Sequence, residues 1–232
     1  MFRKTARFYD AIYSWKDYRT EVDRLDRLIR ERDPGARTLL DVACGTGKHL
    51  ELLKDAYEVE GVDLDPGMLD IARERLPGVP LHEGDMTSFD LGKRFDVVTC
   101  LFSSVAYAGT PDRLASAIAS MARHLGPGGV LIVEPFFPPE QWEEGHIWGN
   151  FVDQPDLKIA RMDVSAPRGP VIPIEFHYMV GTPEGITYFT EHHEIALFTH
   201  EEYVAAFRAA GLEPEHEAEG LMGRGLYVAV AG

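Results

Sequence analysis

The stretch Asp41-Val-Ala-Cys-Gly-Thr-Gly47 lies where a short apolar run, Thr38–Ala43, meets two closely spaced glycines. An apolar run that stops at glycine predicts a buried strand followed by a tight turn. Glycines let the backbone turn sharply and approach a ligand closely. The helix predicted from Leu50 onward would present free N–H groups to an anionic group. The stretch therefore predicts a ligand-binding turn between a strand and a helix.

The residues after this turn exclude two other glycine-rich loops. The dinucleotide-binding fingerprint needs a third glycine at position 50, which is Leu50 in this chain. The phosphate-binding loop needs Ser or Thr after Gly-Lys, but His49 follows Lys48. The turn therefore belongs to another class of nucleotide or nucleoside site.

Predicted strands and helices alternate along the first 134 residues. The strands are apolar runs, and the helices repeat apolar residues every three to four positions. The strands lie at Thr38–Ala43, Tyr57–Leu64, Val79–His82, Phe95–Phe102 and Val130–Glu134, and the helices at 19–32, from Leu50, at Pro66–Leu76 and from Thr110 to Gly126. This alternation predicts an α/β fold with a doubly wound, mostly parallel sheet covered by helices on both faces.

The pattern changes after residue 134. Residues 135–198 are rich in proline and contain alternating apolar and polar runs at Ile174–Val180 and Ile186–Thr190, which predict a small antiparallel β cap. Thr199 and Glu202 form a capping box that opens a helix, and Leu226–Val230 predicts a last strand. We therefore expect a core of residues 1–134 and 199–232, with residues 135–198 inserted as an acceptor-binding cap.

Composition excludes several classes of protein. The formal net charge is -15, which repels phosphate backbones and argues against nucleic-acid binding. No apolar run is long enough to span a membrane, and the first ten residues do not resemble a signal peptide. The two cysteines, Cys44 and Cys100, predict buried thiols of a cytoplasmic protein. His192-His193-Glu194 lacks metal-ligand spacing, so we expect no metal and one histidine on each face of a strand.

Two carboxylates follow the second and third predicted strands. Asp63 lies 22 residues after Asp41, where a carboxylate can accept both hydroxyls of a ribose. Asp85 is placed to accept from the exocyclic amine of an adenine, and Met86 to pack against the ring. The sequence thus predicts an adenosine site at the carboxyl edge of the sheet.

Together, Asp41, Gly45, Gly47, Asp63 and Asp85 resemble the class I S-adenosylmethionine-dependent methyltransferases over residues 36–134. The resemblance implies a Rossmann-like sheet of seven strands and S-adenosyl-L-methionine as cofactor. The residues that it implies for cofactor binding are Tyr18, Asp41, Ala43, Gly45, Gly47, His49, Asp63, Leu64, Asp85, Met86 and Leu101.

Further segments are similar to the sugar N,N-dimethyltransferases that make desosamine and mycaminose. They are residues 16–21, 102–107, 134–140, 193–198 and 223–227. The similarity implies a homodimer and a small-molecule acceptor, a nucleotide-linked amino sugar methylated twice at one nitrogen. It implies Tyr107 and Glu21 as catalytic residues. The implied acceptor-binding residues are Tyr107, Glu134, Arg161, His177 and Arg224.

This chain also departs from that family's pattern. Phe136-Phe137 stands where relatives have paired tryptophans. Lys158, Arg161 and Arg168 are the only lysines and arginines between residues 135 and 200, which is little charge to neutralise a diphosphate. Two alternatives stay open: a methyltransferase of another small amine, hydroxyl or carboxylate, and a non-catalytic regulatory protein that binds the same cofactor.

Overall fold

The computed structural model describes residues 5–167 and 169–232, so Arg168 lies outside the described residues. Six α-helices occur in the described chain, and short 3-10 helices occur at Ala6–Phe8, Ser104–Ala108 and Pro139–Gln141. The α-helices are α1 (Tyr9–Ile12), α2 (Tyr18–Arg32), α3 (Lys48–Leu53), α4 (Pro66–Arg75), α5 (Pro111–Arg123) and α6 (His200–Ala209). No helix in these two ranges combines the length and apolar character needed to cross a bilayer.

A mostly parallel sheet forms the centre of the core. Its strands are β1 (Thr38–Val42), β2 (Glu58–Asp63), β3 (Leu81–Glu83), β4 (Phe95–Cys100), β5 (Leu125–Val133), β10 (Glu215–Glu217) and β11 (Leu226–Val230). They lie in the order β10-β11-β5-β4-β1-β2-β3. The strands β1 to β5 pair in parallel, whereas β11 runs antiparallel to both β5 and β10. The predicted doubly wound sheet of seven strands is confirmed.

Helices cover both faces of this sheet. The apolar faces of α5 and α6 pack on one side, around Leu114, Ile118 and Phe207. The helices α2, α3 and α4 pack on the other side, where Leu25 and Leu50 are fully buried. This burial explains why β1 and β4 are nearly continuous apolar runs, since neither face of these strands meets water.

A second sheet forms the cap. Its strands β6 (Ile147–Gln154), β7 (Leu157–Val164), β8 (Val171–Thr182) and β9 (Gly185–Ala196) pair antiparallel in sequence order. The inner face contacts the N-terminal segment through Phe8 and Ile12. It also contacts the 3-10 helix Ser104–Ala108 through Ala106. Because the cap is anchored at both places, it faces the carboxyl edge of the main sheet.

Two predicted boundaries are wrong. Helix α5 ends at Arg123 rather than at Gly126, and β5 begins at Leu125 rather than at Val130. Gly126-Pro-Gly-Gly129 lies within β5, where the pairing of β5 with β4 shifts register between Phe95 and Val97. The glycines and proline therefore mark an irregular strand start and not only a helix end.

Candidate active site

The loop after β1 runs in the left-handed region of backbone conformation. Ala43, Gly45 and Gly47 have φ values of 59°, 56° and 76°. A Cβ atom built on Gly45 would meet no atom within 4 Å, so the loop backbone is open to the space in front of it. A Cβ atom on Gly47 would lie 2.8 Å from Leu76 Cδ1, so this glycine allows α3 to pack closely on α4.

Asp63 ends β2 directly beside this loop. Its Oδ2 accepts a hydrogen bond of 2.8 Å from the Gly45 N–H, and its Oδ1 accepts one of 2.8 Å from the Asp65 N–H. Burial raises the pKa of Asp63, while these backbone hydrogen bonds oppose that rise. The carboxylate thus organises two loops at the carboxyl edge of the sheet, as expected for a ligand-binding position in this fold.

Asp85 lies on the same side of the cleft, after β3. Its Oδ1 accepts hydrogen bonds from the N–H and the hydroxyl of Thr87, which hold the turn. Arg113 Nη2 lies 3.4 Å from Asp85 Oδ2. Met86 lines the cleft next to Asp85. The cleft therefore has a hydrogen-bond acceptor and an apolar thioether side by side, which are the groups that a purine with an exocyclic amine would need.

A buried polar cluster lies behind the loop after β1. Glu21 accepts from Lys16 Nζ, and its Oε2 lies 2.8 Å from His49 Nε2. The Tyr18 ring meets the His49 ring edge-on, with centroids 4.9 Å apart. Burial raises the pKa of Asp41 to about 6, and the Thr99 hydroxyl donates to its Oδ1 over 2.7 Å. Glu21 is bonded to Lys16 and His49 and does not line the main cleft.

The N-terminal segment, residues 5–16, forms part of the wall of the cleft. Asp10 accepts from the Thr46 hydroxyl over 2.7 Å and from Arg75, which ties the segment to the core. Asn150 Nδ2 donates to the Ile12 carbonyl over 2.9 Å, which ties it to the cap. Its two tyrosines, Tyr9 and Tyr13, line the cleft. Sequence reasoning missed them, although their spacing of four residues is the signal of one helical face.

A strained turn after β4 shapes the other wall. Phe102 and Ser103 have φ values of 52° and 61°, which are costly for residues with a Cβ atom. Glu134 accepts from the Phe102 N–H over 2.6 Å, and the Ser103 hydroxyl donates to the Pro135 carbonyl over 2.7 Å. Arg224 Nη1 donates to Ser103 Oγ over 2.7 Å. These contacts hold the turn that presents the helix Ser104–Ala108.

That helix places Tyr107 in the wall of the cleft. The Tyr107 hydroxyl lies 2.8 Å from Nδ1 of His193, a residue of the cap. Burial raises the pKa of Tyr107 well above its ordinary value of 10.0. On the cap side, Arg161 Nη1 donates to the Tyr13 hydroxyl over 3.0 Å and the guanidinium lies 5.0 Å from the centroid of the Phe176 ring.

One cavity of about 1000 Å³ connects these features. It extends from Asp63 and Asp85 past Tyr107 to Trp142 and Trp148 at the cap end. This volume is at the upper end of the range for small-molecule sites. The cleft is therefore large enough for two ligands side by side.

The structure brings most of the residues predicted from sequence to this cleft. Those that line it are Ala43, Gly45, Asp63, Leu64, Asp85, Met86, Tyr107, Arg161 and Arg224. A smaller adjoining pocket is lined by Tyr18, Asp41, His49 and Leu101. Gly47 is instead a packing residue of the turn. Glu134 is fully buried behind Phe102 and supports the wall without facing the cleft.

The structure corrects the prediction made for His177. It lies on β8 in alternation with Phe176 and Tyr178, whose side chains face the cleft. Successive residues of a strand point to opposite faces, so His177 lies on the outer face of the cap, where its Nδ1 is 2.6 Å from the Tyr188 hydroxyl. The prediction that His177 contacts the acceptor is therefore wrong. Sequence reasoning also missed His193, because it predicted one histidine of the His192-His193 pair on each face of a strand without assigning which one faces inward.

Within the described ranges, no group of three His, Cys, Asp or Glu side chains could hold a metal ion. Cys44 and Cys100 are both buried free thiols, as predicted.

Known proteins of similar sequence are methyltransferases. Residues 39–129 match a family described as a methyltransferase domain. The chain is 44% identical over 229 residues to dTDP-3-amino-3,4,6-trideoxy-alpha-D-glucopyranose N,N-dimethyltransferase from Streptomyces venezuelae, with 97% of each chain covered.

Two solved structures are also similar. The crystal structure of Streptomyces venezuelae DesVI superposes with a TM-score of 0.94 at 42% identity and covers 99% of both chains. CalS10, an amino pentose methyltransferase of calicheamicin biosynthesis from Micromonospora echinaspora with bound S-adenosylmethionine, superposes with a TM-score of 0.89 at 44% identity and covers 97% of both chains.

Proposed function

The chain belongs to the sugar N,N-dimethyltransferases, and we propose from this premise that it methylates the amino group of a nucleotide-linked amino sugar. It is an S-adenosylmethionine-dependent methyltransferase. The observation that supports the acceptor class best is the single cleft, which joins the Asp63–Asp85 end to an aromatic and arginine-lined end beside Tyr107. We further propose that residues 1–134 and 199–232 bind the cofactor, and that residues 135–198 bind the acceptor.

The residues at the sheet edge fit S-adenosylmethionine. We propose that Asp63 accepts the ribose hydroxyls and that Asp85 and Met86 hold the adenine, and the open backbone at Gly45 supports this by leaving the space that a Cβ atom would fill. We propose further that Tyr18 and His49, which line the adjoining pocket, contact the amino-acid part. When bound, S-adenosylmethionine would supply an electrophilic methyl group on its sulfonium. The amine lone pair would form a bond to that methyl carbon while the carbon–sulfur bond breaks, the neutral thioether would be the leaving group, and the resulting ammonium would lose a proton to water.

The end of the cleft beside Tyr107 holds the nitrogen of the sugar amine in position and does not remove a proton from it. The amine must be neutral, because an ammonium has no lone pair to attack with. A phenol whose pKa is raised by burial is a poor base at neutral pH. Tyr107 therefore orients the nitrogen through a hydrogen bond. Holding reactants in line can supply about 7–11 kcal/mol of the barrier, so positioning is sufficient as the main contribution.

Two arginines that line the cleft are candidates for binding an anionic acceptor. Arg161 enters from the cap and Arg224 from the core. Lys158 points away and pairs with Asp153, so the cap supplies one described arginine to the cleft. We propose that Arg161 and Arg224 together provide the positive charge for the diphosphate, which compensates for the few cations of the cap.

We expect the protein to convert a dTDP-linked 3-amino-deoxyhexose first to a monomethyl product and then to a dimethyl product. Mass spectrometry of the reaction mixture over time measures both products. The matched control is the same nucleotide sugar with a hydroxyl in place of the amine, which should stay unmodified. Methylation of the hydroxyl compound, or of simple amines but not of the nucleotide sugar, would favour another small acceptor. Tight cofactor binding without turnover of any acceptor would favour the regulatory alternative.

We also propose a homodimer formed through the outer face of the cap. Seven apolar side chains on that face are each more than half exposed: Ile147, Phe151, Met162, Val164, Met179, Ile186 and Tyr188. An apolar patch of this extent is unusual on a monomer and is typical of an interface. The free, buried thiols of Cys44 and Cys100 support action in a reducing cytoplasm.

Met179→Asp should weaken this dimer at least about tenfold, because a charge would be buried without a partner. Sedimentation at several concentrations measures the change. Val230→Asp introduces the same charge at an exposed apolar residue outside the cap and should leave the dimer intact. A wild-type protein that sediments as a monomer throughout would contradict the proposed interface.

A further inference from the structure

His193 lies behind Tyr107 and is one of the most deeply buried polar residues of the cap. It is 2% exposed, and its ring meets the Phe176 ring edge-on at 5.2 Å between centroids. Its Nδ1 lies 2.8 Å from the Tyr107 hydroxyl. Because Tyr107 belongs to the core and His193 to β9, this hydrogen bond crosses from core to cap at the acceptor wall.

Glu191 lies on the far side of the imidazole. Residues 191 and 193 share the inner face of β9, and Glu191 Oε2 is 3.7 Å from His193 Nε2. Glu191 also accepts from the N–H of Thr5 over 3.3 Å and from its hydroxyl. The carboxylate is therefore held in place by the N-terminal segment.

These contacts give the hydrogen bonds a direction. A neutral imidazole has one N–H donor and one acceptor nitrogen, and its tautomer is set by the groups around it. In the neutral ring, the negative charge of Glu191, 3.7 Å from Nε2, favours a proton on Nε2 electrostatically, and Nδ1 is then an acceptor. The Tyr107 hydroxyl then donates to Nδ1. A phenol has only one hydrogen, so the oxygen of Tyr107 offers lone pairs alone to the cleft.

We propose that His193 is a positioning residue that makes Tyr107 a hydrogen-bond acceptor toward the sugar amine. An amine N–H donates to the tyrosine oxygen, and the nitrogen lone pair stays free for the methyl group. Without His193 the hydroxyl can rotate and donate to that lone pair, which blocks the attack. This inference rests on the proposed function. It adds which group donates in the hydrogen bond between Tyr107 and the amine of the sugar.

His193→Leu should lower kcat by about 5–30-fold, because the hydrogen bond that orients Tyr107 is lost. The KM for the nucleotide sugar and the affinity for S-adenosylmethionine should change less than about twofold. His193→Asn should recover much of the rate, since its Oδ1 can take the place of Nδ1. His192→Leu is the matched control, because His192 lies on the outer face and its side chain is 56% exposed.

A double-mutant cycle tests whether His193 acts through the Tyr107 hydroxyl. In a Tyr107→Phe background, His193→Leu should lower kcat no further than about twofold, because the hydroxyl is already absent. An equal loss in both backgrounds would overturn the proposal. If the leucine variant does not fold, His193→Asn and His193→Gln replace it. The glutamine oxygen reaches the position of Nε2 instead, so a rate with Gln equal to or above that with Asn would also overturn the proposal.

Nitrogen-15 NMR of the imidazole gives a result that does not depend on turnover. At a pH where the ring is neutral, the His193 signals should show the hydrogen on Nε2. A hydrogen on Nδ1 would overturn the proposal. If the wild-type protein methylates no amino sugar while the Nε2–H tautomer is observed, the proposed function fails and the hydrogen-bond direction stands.

Discussion

Asp63→Ala is expected to weaken the binding of S-adenosylmethionine by at least about tenfold, which corresponds to about 1.4 kcal/mol. Each charge-assisted hydrogen bond to a ribose hydroxyl is worth about 1.5–3 kcal/mol. The structure adds a second reason, because the same carboxylate holds the Gly45 and Asp65 N–H groups. Its loss should therefore also loosen the two loops that face the ligand.

Calorimetry measures the affinity, and circular dichroism checks that the variant is folded. Asp63→Asn separates the two effects of the carboxylate. The amide oxygen can still accept one backbone hydrogen bond, whereas the amide NH2 group is a donor and faces the other backbone N–H without forming a hydrogen bond. This variant should bind more weakly than the wild type. Asp70→Ala is the matched control, since Asp70 lies on the exposed side of α4 and pairs with Arg73. Unchanged affinity in folded Asp63→Ala would remove Asp63 from the cofactor site.

Tyr107→Ala is expected to lower kcat by about 10²-fold or more, because it removes both the hydroxyl and the ring that forms the wall beside the amine. Tyr107→Phe keeps the ring and loses one hydrogen bond, worth about 1–2 kcal/mol, so kcat should fall about 5–30-fold. Tyr107→His should remain active, because an imidazole can also bond an amine. Steady-state and single-turnover rates with saturating ligands measure these effects.

The size of the Tyr107→Phe effect distinguishes positioning of the amine from base catalysis by the Tyr107 hydroxyl. If Tyr107→Phe abolishes turnover while both ligands still bind, the hydroxyl is an obligatory proton acceptor and the positioning mechanism is wrong. Tyr57→Phe is the control, because the buried Tyr57 likewise loses a hydrogen bond, to Asp26, at a place that does not line the cleft. Its effect should appear in thermal stability and not in kcat.

The core could be predicted because its signals are local. The turn at Gly45 and Gly47, the proline start of α5 after Thr110 and the capping box at Thr199 each depend on residues within a few positions. Asp63 and Asp85 could be placed because the carboxyl ends of parallel strands meet at one edge. The match to known families then followed from the combination of these residues.

Some elements could not be predicted from local pattern. Strands β6 and β7 were not identified singly, because apolar side chains such as Phe151 and Val152 occur on both faces and hide the alternation. Strand β10 has three residues and exists through its pairing with β11. The register that turns His177 outward depends on which face of β8 the core covers, and that is not a property of the strand's own sequence.

Short-range periodicity and turn chemistry were enough to predict the alternating strands and helices of the first 134 residues, the glycine turn after β1 and the carboxylates at the sheet edge. Which side chains meet across the cleft depends instead on long-range packing and became visible in the folded chain. Tyr107 and His193 are 86 residues apart in the chain, and Asp10 and Arg75 are 65 residues apart. Such pairs form when the cap and the N-terminal segment bury their apolar faces against the core, and this packing sets the acceptor site.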